Sequence, residues 1–142
     1  MALRALIYRT TFETGEVPTR EALSHTAGAD LDAQLERLHD AHMIVLDDRP
    51  HRTGEIRMAL PFAAEPTDFR VTANGRGWWA NCAWDSLAVV AAIHQDATIE
   101  SRWADTGEPL VLNITNQQLS STEGSIYFRI PAARWWDDIV ET

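Results

Sequence analysis

The sequence predicts an α+β fold, with a winged-helix-like helical module over residues 1–60 packed on a small mixed-sheet core with flanking helices over residues 61–142. Three observations predict it. Apolar positions in the first forty residues recur at helical spacing in three short runs. Two apolar runs then follow in hairpin order. The second half sets several short strand-like runs around one continuous helical stretch. A chain of 142 residues, 45% hydrophobic, can fill one domain or a small module fused to a modest core.

Leu3, Leu6 and Ile7 share one face of a first amphipathic helix. Pro18 and Thr19 open a second that ends near His25, and Gly28 marks a turn. Asp30 stands where it can cap a third helix, whose Leu31, Leu35 and Leu38 form one stripe. Residues 43–48 (MIVLDD) and 55–62 (EIRMALPF) read as two strands joined through residues 49–54. Beyond Pro61, FRVTA (69–73) predicts a strand, residues 74–77 a turn and WWAN (78–81) a short extended approach. CAWDSLAVVAAIH (82–94) predicts a helix with Asn81 as its cap and Leu87, Val90 and Ala91 on one face. ATIESRW (97–103) and PLVLNIT (109–115) form a hairpin around residues 105–107. SIYFRI (125–130) predicts a last strand, and Pro131 opens a short helix.

Composition excludes several functions. All 12 basic residues are arginines, so Schiff-base chemistry, a lysine general base and a P-loop lysine are all ruled out. No cofactor is implied. One cysteine, Cys82, permits no internal disulfide and argues against a cysteine-based structural metal site. A net charge of −9 argues against nucleic acid and against an anionic membrane surface. The third helix sharpens this, because Asp30, Asp32, Glu36 and Asp40 outweigh Arg37 where a DNA-reading helix needs the reverse. The helical module is therefore expected to pack on the second half or to pair subunits in a homodimer. No apolar run approaches the ~20 residues of a membrane span, and the N-terminus does not read as a signal peptide. A cytoplasmic protein is expected.

The chemistry-bearing stretch is WWANCAWDSLAVV. Cys82 would sit in the first turn of its helix, where free N–H groups favour a thiolate, and Asp85 three residues on would share its face. That pair suits nucleophilic attack with proton transfer, and the two groups should titrate together. A Cys-x-x-Asp alone also fits a buried thiol beside a helix-start aspartate.

The wider pattern PFAAEPTDFRVTANGRGWWANCAWDSLAVVAAI, followed by ATIESRWADTGEPLVLNIT, resembles the alkylmercury (organomercurial) lyase family. The resemblance implies Cys82 as the residue that bonds mercury and Asp85 as the carrier of the proton that ends on the departing carbon. It also implies a second cysteine near RWWDDIVET, completing a dithiolate on Hg²⁺, and a chain that continues past residue 142. Here Trp135, Trp136 and Asp137 occupy that segment, and Trp103 replaces another cysteine common before the DTGEP turn. A small thiol could supply the missing sulfur, or the scaffold could have turned to other chemistry. Trp78, Trp79, Trp84, Trp103, Trp135 and Trp136 are then candidates for an aromatic substrate-binding wall, although each alone is equally a core residue.

His39 and His42 could share a metal but read better as a solvated helix face, and no metal site is expected. His94 closes the Cys82 helix; His25 and His51 belong to no constellation. The leading expectation is an alkylmercury-lyase-like enzyme on a small-molecule substrate. The arginine-only basic set fits a high-GC bacterial source, where such a scaffold can enter specialised metabolism. The alternative is a non-catalytic small-molecule-binding or regulatory protein on the same fold.

Overall fold

The computed structural model describes residues 2–121 and 123–140. Three helices come first: α1 (Leu3–Thr14), α2 (Arg20–Ala27) and α3 (Leu31–Asp40), the last two separated by a 3₁₀ turn. Thr19 caps α2 by accepting from the Ala22 N–H. Asp30 precedes α3 without making a side-chain cap bond, because the 3₁₀ turn already holds it in helical continuation. Strands β1 (Ile44–Leu46), β2 (Ile56–Ala59), β3 (Phe62–Ala63), β4 (Arg70–Ala73) and β5 (Arg76–Ala80) lead to α4 (Ala83–Ile93). Strands β6 (Ala97–Arg102), β7 (Pro109–Thr115) and β8 (Gln118–Leu119) follow, and a 3₁₀ helix covers Ala132–Asp137.

The fold is α+β, but the expected mixed sheet is replaced by one antiparallel sheet of eight strands, ordered β1-β2-β3-β5-β4-β6-β7-β8. Short hairpin connections explain this, since parallel neighbours would need long crossovers. The sheet runs unbroken across residue 60 through the β2–β3 pairing. The segment read as one strand over residues 55–62 is two, turned at Leu60 and Pro61, where proline has no N–H to give a ladder. The strand expected at 125–130 does not form; Tyr127 is 83% exposed and that stretch has no strand partner. A short hairpin to β8 was not anticipated. It turns through Asn116 and Gln117, both at positive φ.

Two apolar clusters fill the interior. Leu3, Ile7, Leu23, Leu35, Ile44 and Ile56 form one beneath the helices, and Phe62, Val71, Trp78, Val89 and Ile99 anchor the other between α4 and the sheet. Alternation along β4 and β5 sends Val71, Ala73, Trp78 and Ala80 inward and leaves Arg70 and Trp79 on the opposite face. The buried face of α4 is Ser86, Val89, Val90 and Ile93, rotated from the predicted one, and Ala91 is exposed. Two polar ties join α1 to the sheet. The buried Trp78 indole N–H donates to the Thr11 carbonyl at 2.8 Å, and the Tyr8 hydroxyl lies 2.9 Å from the carbonyls of Met43 and Leu60. Gly15 ends α1 at φ 85°, so close to β5 that a Cβ would stand 2.5 Å from the Gly77 carbonyl oxygen. Among the described residues no helix is long and apolar enough to cross a membrane.

The β1–β2 connection is organised by Asp47, whose side chain is fully buried. It accepts from the Arg49 backbone at 3.0 Å and the Arg49 side chain at 2.9 Å, and Arg52 stands 3.4 Å away. Both arginines also reach Glu65, tying the connection to the chain after β3. The Arg49 hydrogen bonds, working against burial, hold the Asp47 carboxyl at about 2, below its ordinary 3.8. A lowered carboxyl contributes stability that is complete above its ordinary range and is lost as pH falls from about 4 through about 2. Asp47→Asn should destabilise the neutral-pH protein by about 2 kcal/mol. Its urea midpoint should also change less than the parent's across that acid window; parallel curves would show that Asp47 is not a source of the acid sensitivity.

Candidate active site

Strand β5 delivers the chain to α4 through Asn81 and Cys82. Cys82, not Asn81, is the N-cap: it has extended backbone angles, and its Sγ accepts from the Asp85 N–H at 3.5 Å. A thiol is a poor cap compared with an amide, and the Asn81 amide points its donor elsewhere. Its Nδ2 donates to the Pro61 carbonyl at 2.9 Å and to Asp85 Oδ2 at 3.0 Å. Asn81 Oδ1 is buried with no hydrogen-bond partner among the described residues. The link to Asp85 escaped the sequence reading, although an i, i+4 spacing was there to be seen; the Pro61 contact was not.

Cys82 and Asp85 are both half-buried. Burial raises the thiol above its ordinary value and the nearby Asp85 charge adds to the rise, while the N–H groups of Asp85 and Trp84 oppose it. The helix-start N–H groups, which the sequence position sets against the thiol, are outweighed here by burial. Burial also raises Asp85, and the Asn81 hydrogen bond pulls it back. Burial thus moves both groups upward within one helical turn.

The six tryptophans are dispersed. Trp84 and Trp135, with Phe128 between them, line an apolar cavity of about 500 Å³ beside the first turn of α4. Phe128 lies 6.3 Å from Trp84 and 5.0 Å from Trp135, ring centre to ring centre. Phe128 was hidden from the sequence reading inside a supposed strand. Cys82 and Asp85 are not among the lining residues of this cavity. Trp78 is core, and Trp79 carries the Arg70 guanidinium on the far face of the sheet. Trp103 packs against Gly124, where a Cβ would come within 2.7 Å of its ring. Trp136 stacks on His42 at 3.7 Å and meets His39 edge-on, so these two histidines, read as a solvated face, support the C-terminal segment. Among the described residues no three His, Cys, Asp or Glu side chains gather as a metal site.

An α+β scaffold presenting a half-buried thiol and carboxyl at a strand-to-helix junction is the class of protein that fold and site define. The alkylmercury lyase family model matches residues 62–142. Alkylmercury lyases of Bacillus cereus and Clostridium butyricum are each 30% identical over 111 residues, 78% of this chain and 49% of theirs. The crystal structure of the mercury-bound form of MerB2 is similar at a TM-score of 0.62 and 27% identity, over 84% of this chain and 57% of that one. The chain thus belongs to the alkylmercury lyase family. It spans about half the length of the curated relatives it matches.

A thiol raised by burial alkylates more slowly than a free one. Iodoacetamide should modify Cys82 more slowly than free cysteine at neutral pH, with the rate climbing into the alkaline range. Asp85→Asn removes the charge that opposes the thiolate and should speed the reaction several-fold at fixed pH. A neutral-pH rate at or above that of free cysteine would contradict this electrostatic picture.

Proposed function

We propose that this chain carries out alkylmercury-lyase-like chemistry, with Cys82 as nucleophile and Asp85 as proton carrier on a small organomercurial. The observation that carries the reading is the pairing of the two groups at the α4 start, where the Asp85 N–H donates to Cys82 Sγ and Asn81 holds the carboxyl. An apolar setting suits both steps. As Sγ bonds the mercury and displaces its ionic ligand, the thiol proton passes to the Asp85 carboxylate. A second thiolate then adds to the metal. The carbon–mercury bond breaks with its electron pair on carbon, which takes the proton back from Asp85 and leaves as the hydrocarbon. Soft sulfur ligands retain the Hg²⁺ product. These 142 residues hold one thiol, so the second sulfur comes from outside them, and a small cellular thiol has that chemistry. The cavity of Trp84, Phe128 and Trp135 is suited to the organic substituent.

The single thiol also favours a second reading, in which the scaffold performs acid–base chemistry on another organic substrate through Asp85. Two variants separate them. On an organomercurial with added thiol, Cys82→Ser should lower kcat/KM by about 10³-fold, and Asp85→Asn should spare binding while lowering kcat by about 10²–10⁴-fold. Repurposed acid–base chemistry reverses the ranking, with Asp85→Asn crippling and Cys82→Ser mild. Full activity in both variants on the true substrate would remove Cys82 and Asp85 from the mechanism.

A further inference from the structure

A second concavity, of about 770 Å³, opens beside the end of α1 where β4 and β5 turn Arg70 and Trp79 away from the α4 core. Three arginines line it, and two are engaged. Arg52 stands 3.4 Å from Asp47 and 3.3 Å from Glu65, and Arg76 donates to the Phe12 carbonyl at 3.3 Å. Arg70 is placed differently. Its guanidinium carbon lies 4.4 Å from the Trp79 ring centre, and the group reaches across Gly77, where a Cβ would stand 2.3 Å from one of its nitrogens. Among the described residues no acceptor takes a hydrogen bond from Arg70 and no carboxylate pairs with it. Glu100 is its register neighbour on β6, yet the guanidinium leans the other way, over β5. Of the two carboxylates on the groove wall, Glu55 is engaged by the Arg20 N–H at 2.8 Å, and Glu16 is exposed on the α1–α2 connection.

We propose that this groove is a binding site for a small oxyanion, a carboxylate or phosphate group received by the Arg70 guanidinium with Arg76 as second cation. Stacking on an indole covers one face of the guanidinium and leaves its N–H edges free. Those edges form the planar fork that meets a carboxylate or phosphate through two parallel hydrogen bonds. The indole also fixes the orientation before a ligand arrives, which lowers the entropy lost on binding. Gly77 is part of the construction, since any side chain there collides with the guanidinium. In a chain of net charge −9 the long-range field repels anions, so capture depends on such a local arrangement. The groove shares no lining residue with the Asn81, Cys82 and Asp85 cluster, and the two sites are testable separately.

The full chain would be titrated with inorganic phosphate and with malonate at constant ionic strength, followed by calorimetry and tryptophan fluorescence. Saturable binding of either anion is expected, weakened about 10-fold or more by Arg70→Gln and by Gly77→Ala. Arg70→Lys, which keeps the charge and loses the fork, should fall between, and it decides the matter if the glutamine variant does not fold. Arg37→Gln on the exposed side of α3 should bind as the parent does. Phosphate binding alone assigns a phosphate ester class and malonate binding alone a carboxylate class; binding of both assigns a general oxyanion site. No saturable binding of either anion, or parental affinity in folded Arg70→Gln, overturns the proposal.

Discussion

One side-chain amide joins three parts of this molecule. Asn81 Nδ2 spends one proton on the Pro61 carbonyl, at the turn between β2 and β3, and the other on Asp85, in the first turn of α4. The Asn81 backbone N–H also approaches Pro61, at 3.4 Å. The turn between β2 and β3, the end of a central strand and the start of α4 are thereby fixed to each other. Cys82 takes the capping position, and its Sγ accepts from the Asp85 N–H. The arrangement leaves Asn81 Oδ1 buried and without a hydrogen-bond partner among the described residues, a cost ordinarily of about 1–3 kcal/mol. A fold that tolerates such a group usually does so where function requires the geometry.

The same amide works against burial at Asp85. As a donor it favours the carboxylate, while burial favours the acid, and burial has the larger effect. Rotating the amide to accept from a protonated Asp85 would turn Oδ1 against the Pro61 carbonyl, two acceptors facing each other. The Asn81 donor thus moderates, without cancelling, the rise that burial imposes on Asp85. A group that takes a proton and returns it within one cycle needs that balance.

Element types were legible in the sequence wherever the apolar period was long: α1, α3, α4, β6 and β7 all fall within their predicted runs. Failures cluster where local chemistry outweighs pattern. Pro61 splits a strand that alternation alone would continue, and the 125–130 run is rich in β-formers yet finds no partner strand in the fold. The buried face of α4 was misjudged because small apolar residues occupy nearly every position, so sequence alone cannot tell which side meets the sheet. For Cys82 and Asp85, helical spacing predicts that they lie close together, as they do, but a Cys-x-x-Asp alone is open to a structural reading, and it is the family resemblance that singles the pair out. What Asn81 and the tryptophans do depends on partners such as Pro61, Thr11, Phe128 and His42, from distant parts of the chain.

The C-terminal segment carries that dependence furthest. Trp135 and Trp136 are neighbours in a 3₁₀ helix, so their side chains diverge and serve two different surfaces. Trp136 lies flat on His42, which adopts φ 59° just after α3, while Trp135 turns to Phe128 at the cavity beside α4. The Trp135 indole N–H also donates to the Ile130 carbonyl at 3.1 Å, bracing the cavity wall against its own loop. No strand ladder holds residues 123–131, so these ring contacts are a main source of position for the wall. The helical module thus reaches the aromatic cavity through His42 and Trp136, whose neighbour Trp135 lines it. The acidic α3 serves that contact by offering its apolar stripe to the core and its C-terminal end to the segment beside α4.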